Sequence, residues 1–153
     1  MKETQFSFAL ETPAAEPEDA RRHFQSKLAF ETDPWDVKTD MERGRSDLIV
    51  IDVRSPADFE QRHIKGAISF PYRSMNAETT SELPREKLMV TYCWGPGCNS
   101  STKAALRLAS LGFRVKELIG GLEYWLREGG QVEGTLENET NRAGELRTVA
   151  GAV

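Results

Sequence analysis

Leu48-Ile-Val-Ile-Asp-Val53, followed without a break by Arg54-Ser-Pro-Ala-Asp58, is the stretch that decides the fold class. A continuous apolar run of this kind belongs to a strand buried on both faces, since a strand with one wet face would alternate polar and apolar residues. Ser55 and Asp58 then form a helix-capping signal, so the reading is strand, turn and short helix.

The same alternation continues downstream. Ala67 to Phe70 reads as a short strand after Gly66, stopped by Pro71, and Tyr72 to Arg85 as a polar connection with one helical turn. Leu88 to Tyr92 is a third strand, and the helix after it turns Ala104, Ala105, Leu108 and Leu111 toward a sheet before Gly112 ends it. Val115 to Ile119 makes a fourth strand, with a short helix from Leu122 to Arg127 behind Gly120-Gly121. Upstream, Asp33 before Pro34 is a helix N-cap, Trp35, Val37 and Met41 form the expected buried side, and Gly44 stops that helix. Pro17 to Leu28 sets Ala20, Phe24 and Leu28 on one face of a peripheral helix, with Phe24 and Leu28 expected to be buried. Strands alternating with helices predict an α/β fold of three layers: a mainly parallel sheet, with 48–53, 88–92 and 115–119 at its centre and helices on both faces.

Composition sets the bounds. A chain of 153 residues, 39% hydrophobic and 29% charged, suffices for one domain with peripheral decoration. The expected division is an N-terminal extension over 1–33, a domain over 34–133 and a polar, flexible tail over 134–153. Acids outnumber bases 24 to 20 without forming blocks, so no basic stripe invites nucleic acid. The N-terminus has no basic start followed by an apolar run, and no later run approaches a membrane span, which predicts a soluble, cytoplasmic protein without a membrane partner.

Both cysteines lie in Cys93-Trp-Gly-Pro-Gly-Cys98-Asn99, between the third strand and a helix that opens at Ser100 or Ser101. A thiol there lies beneath backbone N–H groups at the positive end of a helix, which lowers its pKa and cradles a bound anion. Gly95 and Gly97 free the backbone to turn those groups inward. Only four residues separate the cysteines, so a bridge between them removes little chain entropy and their role is chemical rather than structural. Counting from the strand makes Cys93 the reactive sulfur; counting back from the helix favours Cys98, otherwise a second, resolving thiol. His23 reads as a solvated surface group. Trp35 and Trp125 read as core. Trp94 is placed to wall a pocket, and Lys103 and Arg107 to add positive potential beside the loop. Two cysteines and two scattered histidines lack the paired spacing of a metal site.

The segment from Leu48 to Ala67, the strand ending in Tyr92-Cys93, and Gly120-Gly-Leu-Glu-Tyr-Trp125 together resemble the rhodanese-like sulfurtransferase domain over residues 34 to 133. The resemblance implies a cysteine that accepts a sulfane sulfur as a persulfide from a small-molecule donor. It passes that sulfur to a thiol, cyanide or a protein, using no metal and no organic cofactor. The substrate-binding loop would be Trp94, Gly95, Pro96, Gly97, Asn99, Ser100 and Ser101. It departs from the common pattern of a short stretch that begins at the cysteine and carries an arginine near its end. This loop is longer and holds no arginine or lysine between Trp94 and Thr102. It is similar instead to a subgroup with a Cys-Trp-Gly-Pro-x-Cys-Asn segment. Alternatives are a thiol-disulfide or persulfide-sensing module on the same loop, and a phosphatase or arsenate reductase. The last needs an arginine where Asn99 stands, and Asn99 cannot neutralise a phosphoryl dianion.

Overall fold

A computed structural model describes residues 5–136. Its centre is a five-stranded sheet of order β1-β6-β5-β2-β4, made of β1 (Glu31–Thr32), β2 (Leu48–Asp52), β4 (Ile68–Ser69), β5 (Leu88–Tyr92) and β6 (Val115–Leu118). All its pairings are parallel, and β2 runs beside β5 in register from Leu48 opposite Leu88 to Asp52 opposite Tyr92. The three long apolar runs therefore occupy the interior of the sheet, as their sequence predicts.

Alternate residues of these strands feed two cores. Val50, Val90 and Leu118 pack with Val37, Leu122 and Trp125, which belong to α2 (Pro34–Glu42) and α5 (Gly121–Arg127). Ile51 and Met89 point the other way, onto Ala104 and Leu108 of α4 (Ser100–Ser110) and onto Phe113. The period-two geometry of a strand explains why one apolar run supplies both layers. Helix starts follow their caps: the Asp33 carboxylate accepts from the Asp36 amide at 2.8 Å, and Ser55 Oγ accepts from the Asp58 amide at 3.1 Å at the start of α3 (Pro56–Gln61).

The structure corrects two readings. Trp35 is 58% exposed rather than core. Val37 and Met41, one helical turn apart, define the buried stripe of α2, and a residue two positions before Val37 lies about 200° round the helix from it. Phe24 and Leu28 share a face of α1 (Pro17–Phe30) but are 59% and 72% exposed, because α1 flanks the sheet edge and buries none of its residues. Phe24→Ala is therefore expected to lower the unfolding free energy measured in urea by less than about 1 kcal/mol, against roughly 3–5 kcal/mol for a core phenylalanine. A core-sized loss would place α1 inside the fold.

Two small pairings escape the sequence patterns. β1 sits within the segment read as an extension, and β3 (His63–Ile64) pairs antiparallel with β7 (Val132–Glu133). The chain stays attached beyond β7, where the Thr135 and Leu136 amides donate to Glu60 and Gln61 carbonyls at 3.1 and 3.0 Å. The rest of the expected flexible tail, 137–153, lies outside the described residues.

Candidate functional site

The chain leaves β2 toward β4 on one side and β5 toward β6 on the other, so the carboxyl ends of β2 and β5 flank a topological switch point. Crevices in open α/β sheets form at such points. A buried polar knot fixes the two strand ends. Tyr92 Oη donates to Asp52 at 2.7 Å, and the Ile64 amide donates to Tyr92 Oη at 3.1 Å. Arg54 Nη2 reaches Asp52 at 2.8 Å and the Arg62 carbonyl at 2.5 Å, while the Arg54 amide also donates to Asp52. Burial, with the Asp52 carboxylate beside it, pushes the Tyr92 hydroxyl well above its ordinary pKa, so it remains a donor. His63 is held by Phe59, whose carbonyl lies 2.6 Å from Nδ1 and whose ring stacks at 3.6 Å.

Cys93 follows β5 directly, is only 5% exposed and is joined to Cys98 by a disulfide with its Cα atoms 6.3 Å apart. The loop between them closes through a turn in which the Cys98 amide donates to the Gly95 carbonyl at 3.1 Å. Its outer side is pinned by α5: Leu122 and Glu123 amides donate to the carbonyls of Cys93 and Trp94 at 3.0 and 2.9 Å. That approach explains Gly121, while Gly120 before it, at φ +73°, would drive a Cβ into the Tyr124 side chain. Gly121 has φ +57°, and a Cβ there would lie 2.3 Å from the Cys93 carbonyl oxygen. Across the loop, α4 starts at Ser100 without a side-chain cap from Asn99, which leaves first-turn amides for another acceptor.

Cys93 borders two cavities. The smaller, about 270 Å³, is lined by Gly95, Pro96, Gly97, Cys98, Asn99 and Ser101, together with Glu31 and Glu117. The larger, about 460 Å³, is lined by Trp94, Ser100, Arg54, Tyr72 and Arg73. The Arg54 guanidinium lies 5.7 Å from the Trp94 ring centroid. Every loop residue singled out from the sequence thus lines one cavity or the other. Tyr72 and Arg73 were missed: they follow Pro71 in a stretch with neither periodicity nor motif, and only tertiary packing brings them to Cys93.

Residues 33–128 match the family described as Rhodanese-like domain. Among curated proteins, the chain is 36% identical over 89 residues to thiosulfate sulfurtransferase 16, chloroplastic, of Arabidopsis thaliana, covering 52% of this chain and 74% of that protein. It is 30% identical over 83 residues to an HTH-type transcriptional regulator of Mycobacterium tuberculosis, covering 54% of this chain but only 36% of the relative's length. Among solved structures, the crystal structure of a Bacillus halodurans protein matches with a TM-score of 0.79 at 47% identity, covering 88% of this chain and 98% of that one.

Proposed function

The chain belongs to the rhodanese-like domain family, and from that premise we propose that it is a sulfurtransferase carrying sulfane sulfur as a persulfide on Cys93. The observation that carries this reading is the position of Cys93: at the end of β5, beneath the start of α4, and on the wall of both cavities. A thiol reductant opens the Cys93–Cys98 disulfide, two thiol equivalents leaving as a disulfide. The freed Cys93 thiolate, stabilised by loop amides and the N-terminus of α4, attacks the sulfane sulfur of a donor; the donor's bond to that sulfur breaks with its electron pair on the departing sulfite or thiolate, and the sulfur stays on Cys93 as a persulfide. A thiol, cyanide or a protein nucleophile then attacks the outer sulfur and carries it away, returning Cys93 as thiolate. The loop from Trp94 to Ser101 binds the substrate, no metal or organic cofactor takes part, and a reducing cytoplasm keeps the thiols available.

A second reading rests on the disulfide itself. Cys98 can attack the inner sulfur of the Cys93 persulfide, expelling hydrosulfide and closing the bridge, so the pair works as a thiol-disulfide or persulfide-sensing switch. Mass spectrometry of reduced protein mixed with thiosulfate, mercaptopyruvate or glutathione persulfide separates the two. Gain of one sulfur atom, lost again on addition of cyanide, is the result expected of the transferase; loss of two hydrogens with no lasting sulfur adduct supports the switch.

A further inference from the structure

We infer that the larger cavity beside Cys93 is a subsite for the anionic body of an organic persulfide, a carboxylate-bearing donor of small-peptide size, selected by Arg73 and Lys103. The inference rests on the sulfur-transfer reading and names the class of donor for the same cysteine.

The loop from Trp94 to Ser101 holds no cation, so a negatively charged donor must find its counter-charge elsewhere. Arg54 is unsuited: its side chain is 8% exposed and already neutralised by Asp52. Arg73, in contrast, is exposed, lines the cavity, and donates from Nε to Tyr72 Oη at 3.1 Å. Among the described residues it has no carboxylate partner. Two further cations of α4 converge on the same tyrosine. Lys103 Nζ lies 5.7 Å and the Arg107 guanidinium 5.2 Å from the Tyr72 ring centroid, and Arg107 Nη1 holds the Tyr72 carbonyl at 2.8 Å. The hydrogen bond from Arg73, with the nearby charges of Lys103 and Arg107, lowers the Tyr72 hydroxyl below its ordinary pKa, as expected of a locally positive field. The acid in the lining, Asp58, is engaged by Ser55 Oγ at 2.8 Å.

A volume of about 460 Å³ falls within the roughly 300–1,000 Å³ of pockets that hold organic molecules. Trp94 and Tyr72 give the lining aromatic surface for a carbon skeleton. The smaller cavity is the wrong sign for the same ligand, since Glu31 and Glu117 line it. An anionic donor is thus drawn to Cys93 from the Tyr72 side. There the Cys93 thiolate attacks the outer sulfur of R–S–SH, the S–S bond breaks with its electron pair on R–S⁻, and the protonated outer sulfur remains on Cys93. No external oxidant or reductant enters that step. Arg73 on the cavity wall, and Lys103 beside Tyr72, act on the charged body of the donor and not on the reacting sulfurs, so they set its KM.

The test uses the full chain in two states. With the disulfide intact, S-methylglutathione, an anionic tripeptide with no transferable sulfur, should bind saturably by calorimetry. Binding should weaken by about tenfold in the Arg73→Gln, Lys103→Gln double variant, the scale of two exposed charge contacts, and should also fall with added salt. After reduction, the ratio of kcat/KM for glutathione persulfide to that for its diethyl ester should drop by a similar factor in the double variant, with KM carrying the change. Both substituted side chains are exposed, and equal thermal midpoints verify folding. Absence of S-methylglutathione binding by the unsubstituted protein, or an unchanged donor ratio, overturns the inference. Binding that depends on Arg73 and Lys103 in a protein that loads no sulfur from any donor sustains the anion subsite and overturns the transferase reading.

Discussion

Cys93→Ser is expected to abolish sulfur loading from every donor, while Cys98→Ser still loads one sulfur. A serine hydroxyl neither ionises usefully near neutral pH nor holds a persulfide, so removal of the acceptor sulfur cannot be compensated elsewhere in the loop. Cys98 differs in position: it lines only the smaller cavity, two residues before α4, whereas Cys93 lines both. Without Cys98 the persulfide has no internal thiol to attack it, and the adduct seen by mass spectrometry should persist longer. The reduced protein should also alkylate rapidly at Cys93, with a midpoint clearly below the free-thiol pKa of roughly 8.5. If Cys98→Ser loses all loading while Cys93→Ser keeps it, the roles are inverted. If both variants load and release sulfur normally, the loop is not the seat of the chemistry.

The parts of this picture that the sequence made legible are those where one segment carries its own signal. Leu48 to Asp52 is apolar on both faces because it supplies Val50 to one core and Ile51 to the other, and that pattern is local. The Cys93 loop was equally readable, since strand, glycines and helix start are contiguous. What was not legible depends on partners distant in sequence. β1, β3 and β7 have two residues each, too few for any period to show. The spacing of Phe24 and Leu28 correctly places them on one face of α1, yet spacing does not say whether another layer covers that face. Trp35 is a case of register: its size argued for burial, whereas its angle from Val37 turns it outward. Tyr72 and Arg73 join the site only because the connection after β4 folds back over the end of β5.

Asp52→Ala is expected to cost about 3–5 kcal/mol of unfolding free energy, the scale for removing one partner of a buried ion pair. Asp52 is fully buried and Arg54 nearly so, hence the substitution leaves a guanidinium out of water with only carbonyls as acceptors, and strips Tyr92 of the oxygen to which its hydroxyl donates. Against a total of about 5–15 kcal/mol for a domain this size, that loss can leave the protein partly unfolded at 37 °C. Urea unfolding at 10 °C should keep it measurable. Tyr92→Phe separates the phenol from the ion pair: it leaves the Ile64 amide without its acceptor and should cost roughly 1–3 kcal/mol. It also carries a pH signature. Because burial raises the folded-state pKa of Tyr92 above its unfolded value, its contribution is fully present below that unfolded value and is lost as pH rises past it. Above about pH 10 the unsubstituted protein should therefore lose stability more steeply than Tyr92→Phe, by roughly 1.4 kcal/mol per pH unit. Equal slopes would mean that Tyr92 ionises freely and that the knot between β2 and β5 is open to solvent. An Asp52→Ala protein as stable as its parent would show that the Asp52–Arg54 pair does not hold the strand ends beneath Cys93.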